Sequence, residues 1–345
     1  MAYTNIDKSS LHFNTKLYTG TGSSNAITGV GFQPDWVWIK RRSATSSNQL
    51  FDAVRGVTKR VFSDSNEAES TSATTLTSFD SDGFTVSTHT GLNGSSDTYA
   101  AWNWLANGSG SANTDGSISS TVSASTTSGF SIVKYTGNLT SGANIGHGLG
   151  VKPAMIIIKN LDATESWLCY HTSLGATKHI KLNVTEAAGT ATSRFNDTEP
   201  TTSLFTVGND PQTNGNSNDM IAYCFAEKKG FSKFGSYTGN GNADGTFVYT
   251  GFKPAWIMYK NASGTSDWYI QDIKRRTFNV NNVRLEANNS DAEVTGASDS
   301  IDILSNGFKL RHSSSSFNIS GNNYIYMAFA EAPLVGSNNV PCTAR

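Results

Sequence analysis

One feature constrains this chain more than any other: it is written three times. The tripeptide Tyr-Thr-Gly begins at Tyr18, Tyr135 and Tyr237, and each copy is followed by a Gly-rich stretch and a strand-opening proline. Those strands read PDWVWIK from Pro34, PAMIIIK from Pro153 and PAWIMYK from Pro254, and Lys40, Lys159 and Lys260 close them at one offset. Each copy carries a later strand at DGFTV, SLFTV and NGFKL, and ends on AAWNWLA around Trp104, IAYCFAE around Phe225 and YMAFAEA around Phe329. The copies span about 12–107, 129–228 and 230–333. A repeat of roughly 100 residues has the size of a domain and is far longer than a solenoid unit.

Within a copy, the strong segments are short and bounded by Gly, Asn, Asp and Ser. Trp36 and Trp38 alternate with Val37 and Ile39, so both faces of that strand are apolar, as in a strand covered on two sides. Capped segments of 3.6-residue period are missing. FDAVRGVTKRV and TSLGATKHIKL supply at most a helical turn. The pattern predicts an all-β chain of three tandem antiparallel β-sandwich domains, jelly-roll or lectin-like, made of one repeated unit. The expected division is 1–107, a Ser/Gly-rich linker at 108–128, then 129–229, then 230–345 with a C-terminal arm.

Composition narrows the function. Lys plus Arg number 26 against 27 Asp plus Glu, so there is no cationic excess with which to neutralise phosphates, and nucleic acid is not an expected partner. Apolar runs are far shorter than a membrane span, and the N-terminus has no apolar signal core. Cys169, Cys224 and Cys342 have no metal-ligand spacing, and no cofactor or metal is expected. DSDG at 80–83 and NADG at 242–245 look like pieces of calcium loops but lack the downstream bidentate Glu, so they read as tight turns.

The segments HGLGVKPAMIIIKN, SWLCYHTSLG, MIAYCFAEKKGFSKFGSYTGNGNADGTFVYTGFKPAWIMYK and ILSNGFKL resemble a family of marine bacteriophage virion proteins with concanavalin-like lectin sandwiches. The resemblance covers roughly 134–333 and implies a virion structural protein of tail-fibre or spike type. It carries no catalytic or binding residues across. The expected function is therefore a non-enzymatic virion component, made in the host cytoplasm, which contacts other virion proteins and a host surface glycan. A homo-oligomer, a trimer among the options, fits that setting. The alternatives are a capsid decoration or spacer without a ligand, and a polysaccharide depolymerase, which would need two facing carboxylates.

Eighteen residues beyond each strand-opening proline stand Asp52, His171 and Asp272, followed three residues later by Arg55 and Arg275 in copies one and three. Asp-x-x-Arg reads as an ion pair holding a turn, or as a polar sugar-binding spot. With the aromatic residues Trp38, Trp102, Tyr170 and Trp268, these positions form the candidate ligand-binding set, because aromatic faces stack on sugar rings.

Overall fold

The computed structural model describes residues 4–331 apart from 297, 299, 314 and 315. The C-terminal arm expected after residue 333 and Cys342 lie outside the described residues. The chain is all-β, in three antiparallel large sheets, each backed by a small one.

In unit one the large sheet runs Phe13–Thr19, Thr98–Trp104, Trp36–Arg41, Gln49–Asp52, Lys59–Phe62, Ser70–Thr71, in spatial order. Unit three repeats that order with Ser232–Thr238, Asn323–Ala330, Pro254–Asn261, Trp268–Asp272, Val283–Glu286 and Val294–Thr295. Unit two does the same, with Phe130–Thr136, Asp219–Phe225 and Met155–Asn160 at the centre. The register aligns the copies residue by residue: Trp36 faces Trp104, Met155 faces Phe225 and Trp256 faces Phe329.

The Tyr-Thr-Gly motif has a structural cause in every copy. Its tyrosine hydroxyl donates to a backbone carbonyl, Leu92 O, Thr213 O or Phe317 O. Its glycine admits the backbone of a facing turn: a Cβ on Gly20, Gly137 or Gly239 would stand 2.2–2.3 Å from a carbonyl oxygen. Beside each glycine, Asn93, Asn214 or Asn318 accepts a backbone N–H through its side-chain oxygen.

Two expectations are corrected. The segment 108–128 is not a linker. Ser111–Asn113 and Ser120–Ser125 are strands that extend the second large sheet to eight, with Val122 buried and Ser123 Oγ accepting the Asn107 N–H at 2.8 Å. Serine and threonine strands at a sheet edge carry no hydrophobic alternation, so their pairing follows from the neighbour they meet. Nor are the units separate bodies. Each sandwich has its own outer core between large and small sheet, but the inner faces of all three large sheets share one core. Phe13 stacks on Phe329 at 4.9 Å, Trp36 on Tyr223 at 4.4 Å, and Trp104 meets Trp256 at 5.7 Å. Strand alternation does the sorting: Trp36 and Trp38 point into the shared core, and Val37 and Ile39 into the outer one.

Candidate functional site

The seven candidate ligand residues are all interior. Trp38, Trp102, Tyr170, His171, Trp268, Asp52 and Asp272 are each at most 1 % exposed, so none offers a face to a ligand. The ligand-binding expectation at these positions is overturned by their burial. Tyr170 sits in the outer core of unit two and donates to Glu199 at 2.6 Å. The other six lie along the boundaries between units, and their geometry explains their presence.

Each unit faces the next, and the third faces the first. At the boundary of units one and two, Asp52 receives Arg55 Nε at 2.5 Å and the Tyr223 hydroxyl of unit two at 2.8 Å. Where unit three meets unit one, Asp272 receives Arg275 Nε at 2.6 Å and the Trp102 indole N–H at 3.2 Å. Arg55 and Arg275 each reach a second carboxylate, Glu69 at 3.1 Å and Glu293 at 3.2 Å. The backbone N–H groups of Glu69 and Glu293 cross the boundary to Leu161 O and Arg42 O. The Asp-x-x-Arg pair is thus the ion pair read from the sequence, and it serves the joint between units.

The boundary of units two and three is built without the carboxylate–guanidinium pair. His171, Leu174 and Ala188 occupy the positions of the Asp, Arg and Glu, and Met327 occupies that of Trp102 and Tyr223. The Ala188 N–H still crosses to Ala262 O at 3.0 Å. His171 Nδ1 accepts the Ser173 N–H at 3.1 Å, so its Nε2 carries the proton and donates to Tyr326 O at 3.2 Å. The exchange is coherent: a thioether offers no N–H or O–H to a carboxylate, and a buried carboxylate without donors is costly.

The strand-closing lysines are a second cross-boundary set that sequence reading missed, because a lysine at a strand end reads as a surface residue. Lys40, Lys159 and Lys260 are fully buried. Each ammonium donates to carbonyls, one of them in the neighbouring unit: Asn289 O, Asn66 O and Thr185 O. Burial pulls each down to about 8. Trp268 Nε1 crosses to Lys181 O and Trp167 Nε1 to Phe62 O, both at 2.8 Å.

Features at the surface are fewer. On the outer face of the third small sheet, Phe247 and Tyr249 are 43 % and 61 % exposed, and Val248 between them is buried. The matching positions are Ala26 and Thr28 in unit one and Asn144 and Gly146 in unit two, where Gly146 is buried under the Asn113 side chain. The Phe247 ring lies over Gly307, where a Cβ would come within 3.1 Å of it. Lys309, opposite Phe247, pairs with Asp244 at 2.8 Å. DSDG and NADG are turns: Asp82 accepts the Gly29 and Gly31 N–H groups, and among the described residues no group of three His, Cys, Asp or Glu is placed to hold a metal. Among them too, no helix is long and apolar enough to cross a membrane.

Two predictions follow from the boundaries. Arg55→Leu alone strands the Asp52 carboxylate and should cost about 3–5 kcal/mol in denaturant unfolding. The fourfold variant D52H/R55L/E69A/Y223M copies the boundary of units two and three and should lose less than R55L does, and a larger loss would contradict the equivalence of the boundaries. The second concerns pH. Burial lowers His171 to about 4. Its folded value lies below the unfolded value of about 6.5, so between the two the unfolded chain holds the extra proton. This contribution is full above about pH 6.5 and is lost as pH falls toward 4, by up to about 3 kcal/mol. His171→Gln should flatten the acid limb of the stability profile, and an unchanged slope would contradict the assignment.

Comparison with known proteins places the chain in a family but adds no chemistry. No curated protein matches it, and no solved structure does. A single family spans all three units, matching residues 8–333 as one stretch. The chain belongs to that family, described as a domain of unknown function (DUF7483).

Proposed function

We propose that this chain is a non-enzymatic component of a bacteriophage particle, displayed outward in a tail fibre or spike, where it contacts a host surface glycan. The virion setting rests on the resemblance described above. The observation that carries glycan contact is the aromatic pair Phe247 and Tyr249, exposed on one strand face of unit three and absent from the same face of its sister units. Residues two apart on a strand share a face and stand roughly 7 Å apart. Two such rings make a flat apolar platform for the C–H faces of sugars, and the Lys309–Asp244 pair beside it supplies polar groups. A depolymerase is disfavoured at the repeated acids, since Asp52 and Asp272 are buried and engaged by arginine.

The test is binding of the purified chain to host cells and to their isolated polysaccharide. The double variant F247A/Y249A should weaken binding at least tenfold, equivalent to about 1.4 kcal/mol, with the fold retained and only a small drop in melting temperature, because Phe247 is part-buried over Gly307. Undiminished binding by that variant would reject the platform. Absence of binding by the parent chain, together with stable attachment to assembled capsids, would favour a decoration protein.

A further inference from the structure

The boundary of units two and three lacks a carboxylate that unit one has at the matching position. Offsets counted from Pro34 and Pro153 pair Arg55, Lys59 and Glu69 of unit one with Leu174, Lys178 and Ala188 of unit two. In unit one, Glu69 sits between two cations, 3.1 Å from Arg55 and 3.4 Å from Lys59. In unit two the lysine is kept and both its neighbours are replaced by apolar residues. Among the described residues no carboxylate pairs with Lys178. A cavity of about 260 Å³ lies there, between units two and three, lined by Leu174, Lys178 and Ala188.

The far wall comes from unit three. Ala262 and Ile325 add small apolar patches to a lining that is mostly polar, and Ser236 and Ser263 place hydroxyls there. Ser263 Oγ accepts the Asn323 N–H at 3.0 Å, which leaves its own O–H to donate. The cavity falls just below the roughly 300–1,000 Å³ of clefts for drug-sized ligands, a size suited to one ring and its substituents. A mostly polar lining with small apolar patches, hydroxyls and one cation lacking the carboxylate its counterpart has make a specific combination.

We infer that this cavity binds a carboxylate-bearing sugar residue of the hexuronate class. The ligand carboxylate meets Lys178, as the Glu69 carboxylate meets Lys59 in unit one. The C–H face of the ring lies against the part-exposed Leu174 and Ala188, and its hydroxyls bond to Ser236 and Ser263. The carboxylate preference comes from comparing the copies, and the sugar identity rests on the glycan reading proposed above.

The experiment is titration of the full chain with glucuronate and, separately, with glucose, followed by amide NMR. Glucuronate should give saturable shifts at Leu174, Ala188 and Ser263, and glucose should bind at least tenfold more weakly. Ala188→Glu, which supplies the carboxylate that unit one has, should abolish the shifts, as should K178Q, a substitution at an exposed side chain that leaves folding intact. Equal binding of glucose, shifts that survive both substitutions, or no saturable response to glucuronate would each overturn the inference. F247A/Y249A should leave glucuronate binding unchanged. If host polysaccharide fails to bind the parent chain while glucuronate still titrates this cavity, the proposed function fails and the cavity assignment stands.

Discussion

The structure depends on one shared core of aromatic rings. Each large sheet turns its inner face to the same centre, where Phe13, Trp36, Trp104, Phe225, Trp256 and Phe329 touch across unit borders. Aromatic side chains bury about 150–250 Å² each, so at roughly 25 cal/mol/Å² each contributes several kcal/mol of gross burial. A single unit taken out of the ring would expose its share of that core to water. The three copies of the sequence are therefore three parts of one folding unit, which agrees with a single family match across 8–333.

Polar groups at the boundaries then fix how the sheets meet. A backbone bond crosses each boundary at the same place, and a buried lysine closes each central strand onto the neighbour's carbonyls. These bonds are directional, so they set orientation in a core that rings alone would leave underdetermined. Two boundaries use carboxylate and guanidinium, and the third uses a neutral imidazole against a backbone carbonyl. The Asp and Arg positions change together at the third boundary because losing either one alone would strand its buried partner. Departure from the repeat therefore marks where the units differ in structure. A cavity lies at the boundary of units two and three, and the third small sheet shows aromatic rings where its sisters have small or polar residues.

Much of this was legible in the residues. The repeat, the all-β class, the two-sided apolar strands and the Asp-x-x-Arg ion pair all follow from spacing and alternation. Ring closure was not legible, because a strand apolar on both faces is satisfied equally by a sandwich partner and by a neighbouring unit. Trp38, Trp102 and Trp268 misled as ligand residues because core packing and sugar stacking draw on the same side chains, and pattern alone does not tell inside from outside. The better signal was contrast between copies. Phe247 and Tyr249 stand against Ala26, Thr28, Asn144 and Gly146, and Ala188 stands against Glu69 and Glu293. The short helix at Pro211–Asn214 also had a readable start, with Asp210 capping the Gln212 N–H and proline in the first turn.

The shared core is tested most directly by calorimetry of the parent chain and of Phe329→Ala. Phe329 meets Phe13 and Trp104 of unit one, Phe225 of unit two, and Phe231, Phe234 and Trp256 of its own unit. The account predicts one cooperative transition whose calorimetric and van't Hoff enthalpies agree. In the variant that whole transition should move down, with a loss of about 3–5 kcal/mol from transfer and cavity terms together. Three separable transitions in the parent chain, or a variant in which one transition moves while the others stay in place, would contradict it.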